Sequence, residues 1–244
     1  MKDLRKVICL VLAAGVMAGF TAGKSKLFSA ILGDHAAVPE VSTARLIDIL
    51  NHHRGVVIDV RPPHEYAMSH IPGAINIWEN DLVGVITKRF PKKDAFIVTY
   101  CNGIHCGKSR RVAKSLRNLG YSNAHRYQLG IPMWRALGLP CEVSLEGIKE
   151  IYEKDHTAWF IDARPRALFA KGSLPGAKNV ARGEVKQAKK DGRLPYLFDH
   201  NTRVVVFGSN GEEAKALAEE LCNNAFHNVS YYPGRYEKVV TALR

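Results

Sequence analysis

Cysteine is scarce in this chain, and no arrangement of it would brace a fold. Five cysteines occur in 244 residues. Cys9 lies in an N-terminal apolar run, which leaves Cys101, Cys106, Cys141 and Cys222. A disulfide scaffold packs far more into a shorter chain and is excluded. Cys101 and Cys106 are spaced more widely than a zinc knuckle, and no second Cys or His pair with ligand spacing follows, so neither metal nor other cofactor is expected. No apolar run reaches the roughly 20 residues that span a bilayer as a helix; Val7 to Phe20 falls short. The formal net charge is +12, yet the sequence has no long basic tract and no basic stripe interleaved with aromatics, so nucleic acid is not an expected partner. A diffusely basic surface suits small anionic substrates. A phosphate-binding P-loop is missing too. Gly107-Lys108-Ser109 follows a strand-like run, but only Ile104, His105 and Cys106 separate Gly103 from Gly107, one residue too few for that motif.

What is present is globular. Apolar residues make up 46% and charged residues 24% of the sequence, enough to bury the cores of two small domains. The N-terminus stands apart. Met1 to Lys6 is basic, Val7 to Phe20 apolar, and Thr21-Ala22-Gly23 small, the three-part layout of a secretory signal peptide or, uncleaved, of an anchor. Residues 1–23 are therefore expected to direct export to a periplasmic or other extracytoplasmic site, with membrane association if the segment stays, and 24–38 to act as a linker.

The most informative stretch is Tyr100-Cys-Asn-Gly-Ile-His-Cys-Gly-Lys-Ser-Arg110. Phe96 to Tyr100 reads as a buried strand and Ser109 to Leu119 as an amphipathic helix. Cys101 thus falls where a strand ends, on a loop feeding a helix N-terminus. Unpaired N–H groups there carry partial positive charge and cradle anions. A thiol so placed is expected to ionise below the free value of about 8.5, with His105 and Lys108 as nearby cations. Cys106 reads either as packing for the helix start or as a thiol that resolves a modified Cys101.

The chain also repeats itself. Val56 to Ile77 aligns without gaps to Trp159 to Val180, sharing Ile-Asp-x-Arg-Pro, Pro-Gly-Ala and an Asn. Phe96 to Tyr100 matches Arg203 to Phe207, and Leu116 to Asn123 matches Leu221 to Asn228. Two copies of one domain follow, expected at 39–143 and 144–244. Each begins with a capped helix after Ser42 or Thr43 and after Ser144, then alternates strands and helices. That predicts an α/β fold, two small parallel sheets with helices on both faces, and an active site beyond the carboxyl ends of the strands.

Taken together these residues resemble the rhodanese family, from near Glu40 to the end of the chain. The motifs are Asp59-Val-Arg61 with Glu65-Tyr66 and His70-Ile-Pro-Gly-Ala74, then Val98-Thr-Tyr-Cys101, then Gly130-Ile-Pro-Met-Trp134 with Gly138-Leu-Pro140. The resemblance implies a sulfurtransferase. Cys101 would take a sulfane sulfur from an anionic donor such as thiosulfate, become a persulfide, and pass sulfur to a thiol or cyanide-like acceptor. Asn102, Gly103, Ile104, His105, Cys106, Gly107, Lys108 and Ser109 would form the active-site loop, with Asp59 and Arg61 supporting it.

Departures from the pattern matter as well. The loop is two residues longer than its counterpart in the second copy, most similar to a variant with a Cys-Asn-Gly-x-x-Cys-x-x-Ser loop. The usual loop arginine is absent, Lys108 being the nearest cation in sequence. Gly208 replaces the nucleophile in the second copy, which is therefore expected to be inactive and to complete the cleft, bind a protein partner or stabilise the first copy. Two alternatives stay open: a non-enzymatic binding or sulfur-carrier module, and a cysteine-dependent oxyanion enzyme such as a phosphatase or arsenate reductase.

Overall fold

The computed structural model describes residues 38–195 and 201–243; the expected signal segment and linker lie outside them. The first copy runs α1 (Thr43–Asn51), β1 (Val56–Asp59), α2 (Pro63–Met68), β2 (Ile75–Asn76), α3 (Leu82–Arg89), β3 (Ile97–Tyr100), α4 (Lys108–Asn118), β4 (Ala124–Tyr127) and α5 (Gly130–Ala136). The second runs β5 (Cys141–Glu142), α6 (Leu145–Lys154), β6 (Trp159–Asp162), α7 (Arg166–Phe169), β7 (Lys178–Asn179), α8 (Val185–Lys190), β8 (Val204–Phe207), α9 (Gly211–Asn223), β9 (Val229–Tyr231) and α10 (Tyr236–Ala242). The sheets are wholly parallel, in the orders β2-β1-β3-β4 and β5-β9-β8-β6-β7.

Alternation along the strands divides each core in two, as the period of two in a strand requires. Val57, Val98 and Tyr100 point to one face, where α1 and α5 supply Leu46, Ile49, Ile131 and Trp134. Ile58, Ile97 and Cys101 point to the other, against Ile86 of α3 and Val112 and Leu116 of α4. Every residue of β3 is buried, because helices cover both faces of a central parallel strand. The register places Asp59 opposite Tyr100 and Tyr100 opposite Tyr127. The strands therefore end together, and Cys101 is the first residue past that edge.

Both first helices carry the expected caps. The Ser42 hydroxyl accepts from the Arg45 N–H at 3.2 Å and the Ser144 hydroxyl from the Gly147 N–H at 3.2 Å, satisfying donors left open at a helix start. Gly147 has a second role. Helix α6 lies so close to α2 that a Cβ at this position would overlap the Ala67 carbonyl, which itself accepts from the Ser144 N–H at 2.9 Å.

The same junction is sewn by backbone bonds between His70 and Glu142 at 2.9 and 2.8 Å. Arg135 Nη2 donates to Ser69 Oγ at 2.6 Å, and the Ser69 and Ser230 hydroxyls lie 3.2 Å apart. Burial disfavours the charge on Glu142, but His70 and a hydrogen bond from the Tyr231 hydroxyl at 2.9 Å outweigh it and hold the carboxyl below its usual range. The segment joining the copies thus becomes β5, an edge strand of the second sheet tied to the first copy. Among the described residues no helix is long and apolar enough to cross a membrane.

Candidate active site

Cys101 sits 1% exposed at the floor of the loop. Thr99, two residues earlier on the same face, donates from Oγ1 to the Ser109 carbonyl at 2.9 Å and so fixes the start of α4 above the strand end. Gly130 backs the loop from behind. It takes a φ of +61°, a region that favours glycine, and a Cβ there would overlap the Cys101 carbonyl. That carbonyl accepts from the Ile131 N–H at 3.2 Å. Gly103, with a φ of +93°, turns the chain, and its carbonyl accepts from the Cys106 N–H at 2.9 Å. The loop therefore folds back on itself and returns Cys106 to Cys101.

The Cys101 thiol donates to the Cys106 carbonyl at 3.2 Å, and its sulfur lies 3.4 Å from Ser109 Oγ. Here the structure corrects the expected acidic thiol. Burial raises the Cys101 thiol to about 11; the Cys106 side chain adds to the rise, and Ser109 works against it. The sulfur points at a carbonyl and a hydroxyl under the loop, a desolvated place where the neutral form is favoured. The His105 side chain, one of the two expected cations, faces solvent. Alkylation of Cys101 by iodoacetamide is therefore expected to climb about tenfold per pH unit from neutrality toward pH 10 without levelling. Peptide mapping against pH measures it, and a plateau below about pH 8.5 would return the thiol to the acidic reading.

Asp59 and Arg61 hold the loop from the neighbouring strand end. Asp59 is fully buried and Arg61 4% exposed. Arg61 Nε donates to Asp59 Oδ1 at 2.9 Å and Nη2 to Oδ2 at 2.6 Å, while Nη2 also reaches the Ser69 carbonyl at 2.6 Å. Burial opposes the guanidinium charge, yet Asp59 holds it more firmly protonated than usual. Arg61 Nη1 touches Asn102 Oδ1 at 3.4 Å, and Asn102 Nδ2 donates to Glu65 Oε2 at 2.8 Å. The pair thus braces the residue after Cys101 and makes no hydrogen bond to Cys101 itself. Ile104 and Cys106 are half-buried on the outer arm of the loop, while Gly107 and Lys108 begin α4.

The helix start is open. Gly107 offers no side-chain cap to α4, and no acidic residue lies in its first turn, so its leading N–H groups keep their partial positive charge. One residue that sequence reasoning missed completes the mouth. Arg111, one helical turn on, folds back so that its Nη1 stands 2.8 Å from where a Gly107 Cβ would be. Its other nitrogens bind Glu79 at 2.7 and 3.0 Å, and it interacts electrostatically with both Cys106 and Cys101. The signal was there in the i, i+4 spacing of Gly107 and Arg111, since only a glycine leaves room for a guanidinium over the helix start.

The second copy shows the same frame with its cradle filled. Asp162 and Arg164 repeat the buried pair, Nε to Oδ1 at 3.0 Å and Nη2 to Oδ2 at 2.7 Å. Gly208 takes the place of Cys101 after β8. Asn210 caps α9, accepting from the Glu213 N–H at 2.9 Å, and Glu213 Oε2 accepts from the Ser209 N–H at 2.6 Å. A carboxylate of the chain itself thus occupies the loop where an anion would sit, in a variant of the capping box.

A cysteine delivered by the central strand of a parallel sheet to an open helix N-terminus defines a loop-thiol α/β domain, here duplicated with the thiol in the first loop alone. The chain belongs to the family described as the Rhodanese-like domain, which matches residues 42–137 and 144–242. It is 36% identical over 86 residues to the HTH-type transcriptional regulator Rv0324 of Mycobacterium tuberculosis, covering 35% of this chain and 37% of the regulator. It is 29% identical over 115 residues to the thiosulfate sulfurtransferase GlpE of Actinobacillus succinogenes, 47% of this chain and 99% of that one. A thiosulfate sulfurtransferase structure from Pseudomonas aeruginosa aligns at 22% identity with a TM-score of 0.39, over 79% of this chain and 40% of its own. The chain spans well under half the length of that regulator and of that structure's chain.

Proposed function

We propose that the chain is a rhodanese-type sulfurtransferase with one active loop, in its first copy. The observation that carries this reading is the contrast between the loops. The first holds a cysteine beneath an uncapped helix start; in the second, a glycine stands beneath a start closed by Asn210 and Glu213. Thiosulfate sulfurtransferases among the relatives support the activity in general.

In this mechanism the donor anion settles on the open N–H groups of α4 beside Arg111. The Cys101 proton leaves, and the thiolate attacks the sulfane sulfur. The new S–S bond forms as the old one breaks, and sulfite departs with its electron pair. The loop N–H groups then stabilise the charged outer sulfur of the persulfide, and a thiol or cyanide takes that sulfur. The basic, then apolar, N-terminus supports an extracytoplasmic setting, and the second copy acts by bracing the first or by binding a protein partner.

The full chain mixed with thiosulfate and cyanide is expected to form thiocyanate and sulfite together. Hydrolysis of an aryl phosphate with no thiocyanate would favour the oxyanion alternative instead. Arg111→Ala is expected to raise the KM for thiosulfate roughly fivefold, the ~1 kcal/mol of an exposed charge contact, with kcat little changed. A KM that stays put would remove Arg111 from donor binding.

A further inference from the structure

The sulfur-transfer reading uses Cys101 and leaves Cys106 without a task. Yet the loop is built around their proximity. The turn at Gly103 brings the Cys106 N–H onto the Gly103 carbonyl at 2.9 Å. The Cys101 sulfur lies 3.2 Å from the Cys106 carbonyl oxygen, and the Cys106 side chain is near enough to push the Cys101 thiol up. Both are free. Cys106 packs on the outer rim of the α4-side cluster, half-buried, so a reagent from solvent can reach it. Cys141 lies in the cluster on the other face of the first sheet and Cys222 in the second copy. The two-residue insertion that carries Cys106 occurs only in the loop that holds the nucleophile, and the second copy lacks both thiols.

We propose that Cys106 resolves the Cys101 persulfide, so that the chain releases sulfide and passes through a Cys101–Cys106 disulfide. This rests on the sulfur-transfer reading for the persulfide itself. The Cys106 thiolate attacks Sγ of Cys101. A bond forms between the two Sγ atoms, the bond from Cys101 Sγ to the outer sulfur breaks, and hydrosulfide leaves with that electron pair and takes up a proton. No outside oxidant is needed, because the sulfane sulfur is the electron acceptor. An external dithiol then reduces the disulfide by exchange, becoming a disulfide itself and returning both loop thiols. The net reaction turns thiosulfate and a dithiol into sulfite, hydrogen sulfide and a disulfide, with atoms and charge balanced. The acceptor is thereby a dithiol, and the cyanide-like route is a competing one.

The test mixes the reduced, desalted full chain with thiosulfate alone and measures sulfite, sulfide and intact mass. Wild type is expected to release sulfite and sulfide in equal amounts, once per chain, and to end two hydrogens lighter with Cys101 and Cys106 closed to alkylation. Cys106→Ser and Cys106→Ala are each expected to release sulfite without sulfide and to keep one added sulfur on Cys101. Sulfite without sulfide from wild type, with a lasting persulfide on Cys101, overturns the resolving step alone. The added sulfur found on Cys106 overturns it as well, by making Cys106 a relay. No sulfite from any form overturns the sulfur-transfer reading beneath it.

Discussion

Cys101→Ser is expected to remove thiocyanate formation by about four orders of magnitude or more, the scale on which removing a nucleophile acts. The substitution is a clean probe because the site is so closely packed. Serine is smaller by little, keeps a donor for the Cys106 carbonyl and an oxygen beside Ser109 Oγ, and leaves the floor of the loop filled. Its hydroxyl neither ionises in the accessible range nor accepts a sulfane sulfur. A thermal midpoint near that of wild type with no thiocyanate and no sulfite therefore reads the chemistry, not the fold. Activity retained above a few per cent of wild type would place the nucleophile elsewhere, with Cys106 the next thiol to examine.

The second large effect is on stability. Asp59→Ala is expected to cost about 3–5 kcal/mol, the range for leaving one partner of a buried ion pair alone. Arg61, 4% exposed, would keep the Ser69 carbonyl at 2.6 Å, a long contact to Asn102 and a 3.7 Å ion pair with the partly exposed Glu65, less than the bidentate carboxylate it loses. Urea unfolding of the full chain measures the loss through its midpoint and slope. The double variant Asp59→Ala, Arg61→Met separates the pair's attraction from the cost of the orphaned charge. It is expected to recover much of the stability while still impairing sulfur transfer, since Asn102 and Glu65 lose their anchor. A single Asp59→Ala variant as stable as wild type would mean that water enters and solvates Arg61.

Much of this frame is legible in the residues. The repeat stands out because the buried pair and the Pro-Gly-Ala turn are each dictated by backbone geometry, so Asp59-x-Arg61 and Asp162-x-Arg164 survive in both copies. The strand ahead of Cys101 is legible from its β-branched run. What escapes is set by direction rather than position. Sequence places Cys101 at a helix N-terminus, but not its sulfur beneath the loop, facing the Cys106 carbonyl; the sense of its ionisation turns on that. Arg111 lies ten positions beyond Cys101 and enters only because a helical turn folds it back over Gly107. Asn210-x-x-Glu213 is a readable capping pattern, yet only the structure shows the Glu213 carboxylate bound to the Ser209 N–H within the neighbouring loop.

That carboxylate decides what a thiol placed in the second loop would meet. A Cβ at position 208 would stand 2.9 Å from Glu213 Oε2, so a cysteine introduced there would meet a resident negative charge and resist ionising. The second loop therefore holds a carboxylate of the chain where the first leaves its helix start uncapped, and giving it a reactive thiol would take a change at Gly208 and the removal of the Glu213 charge together.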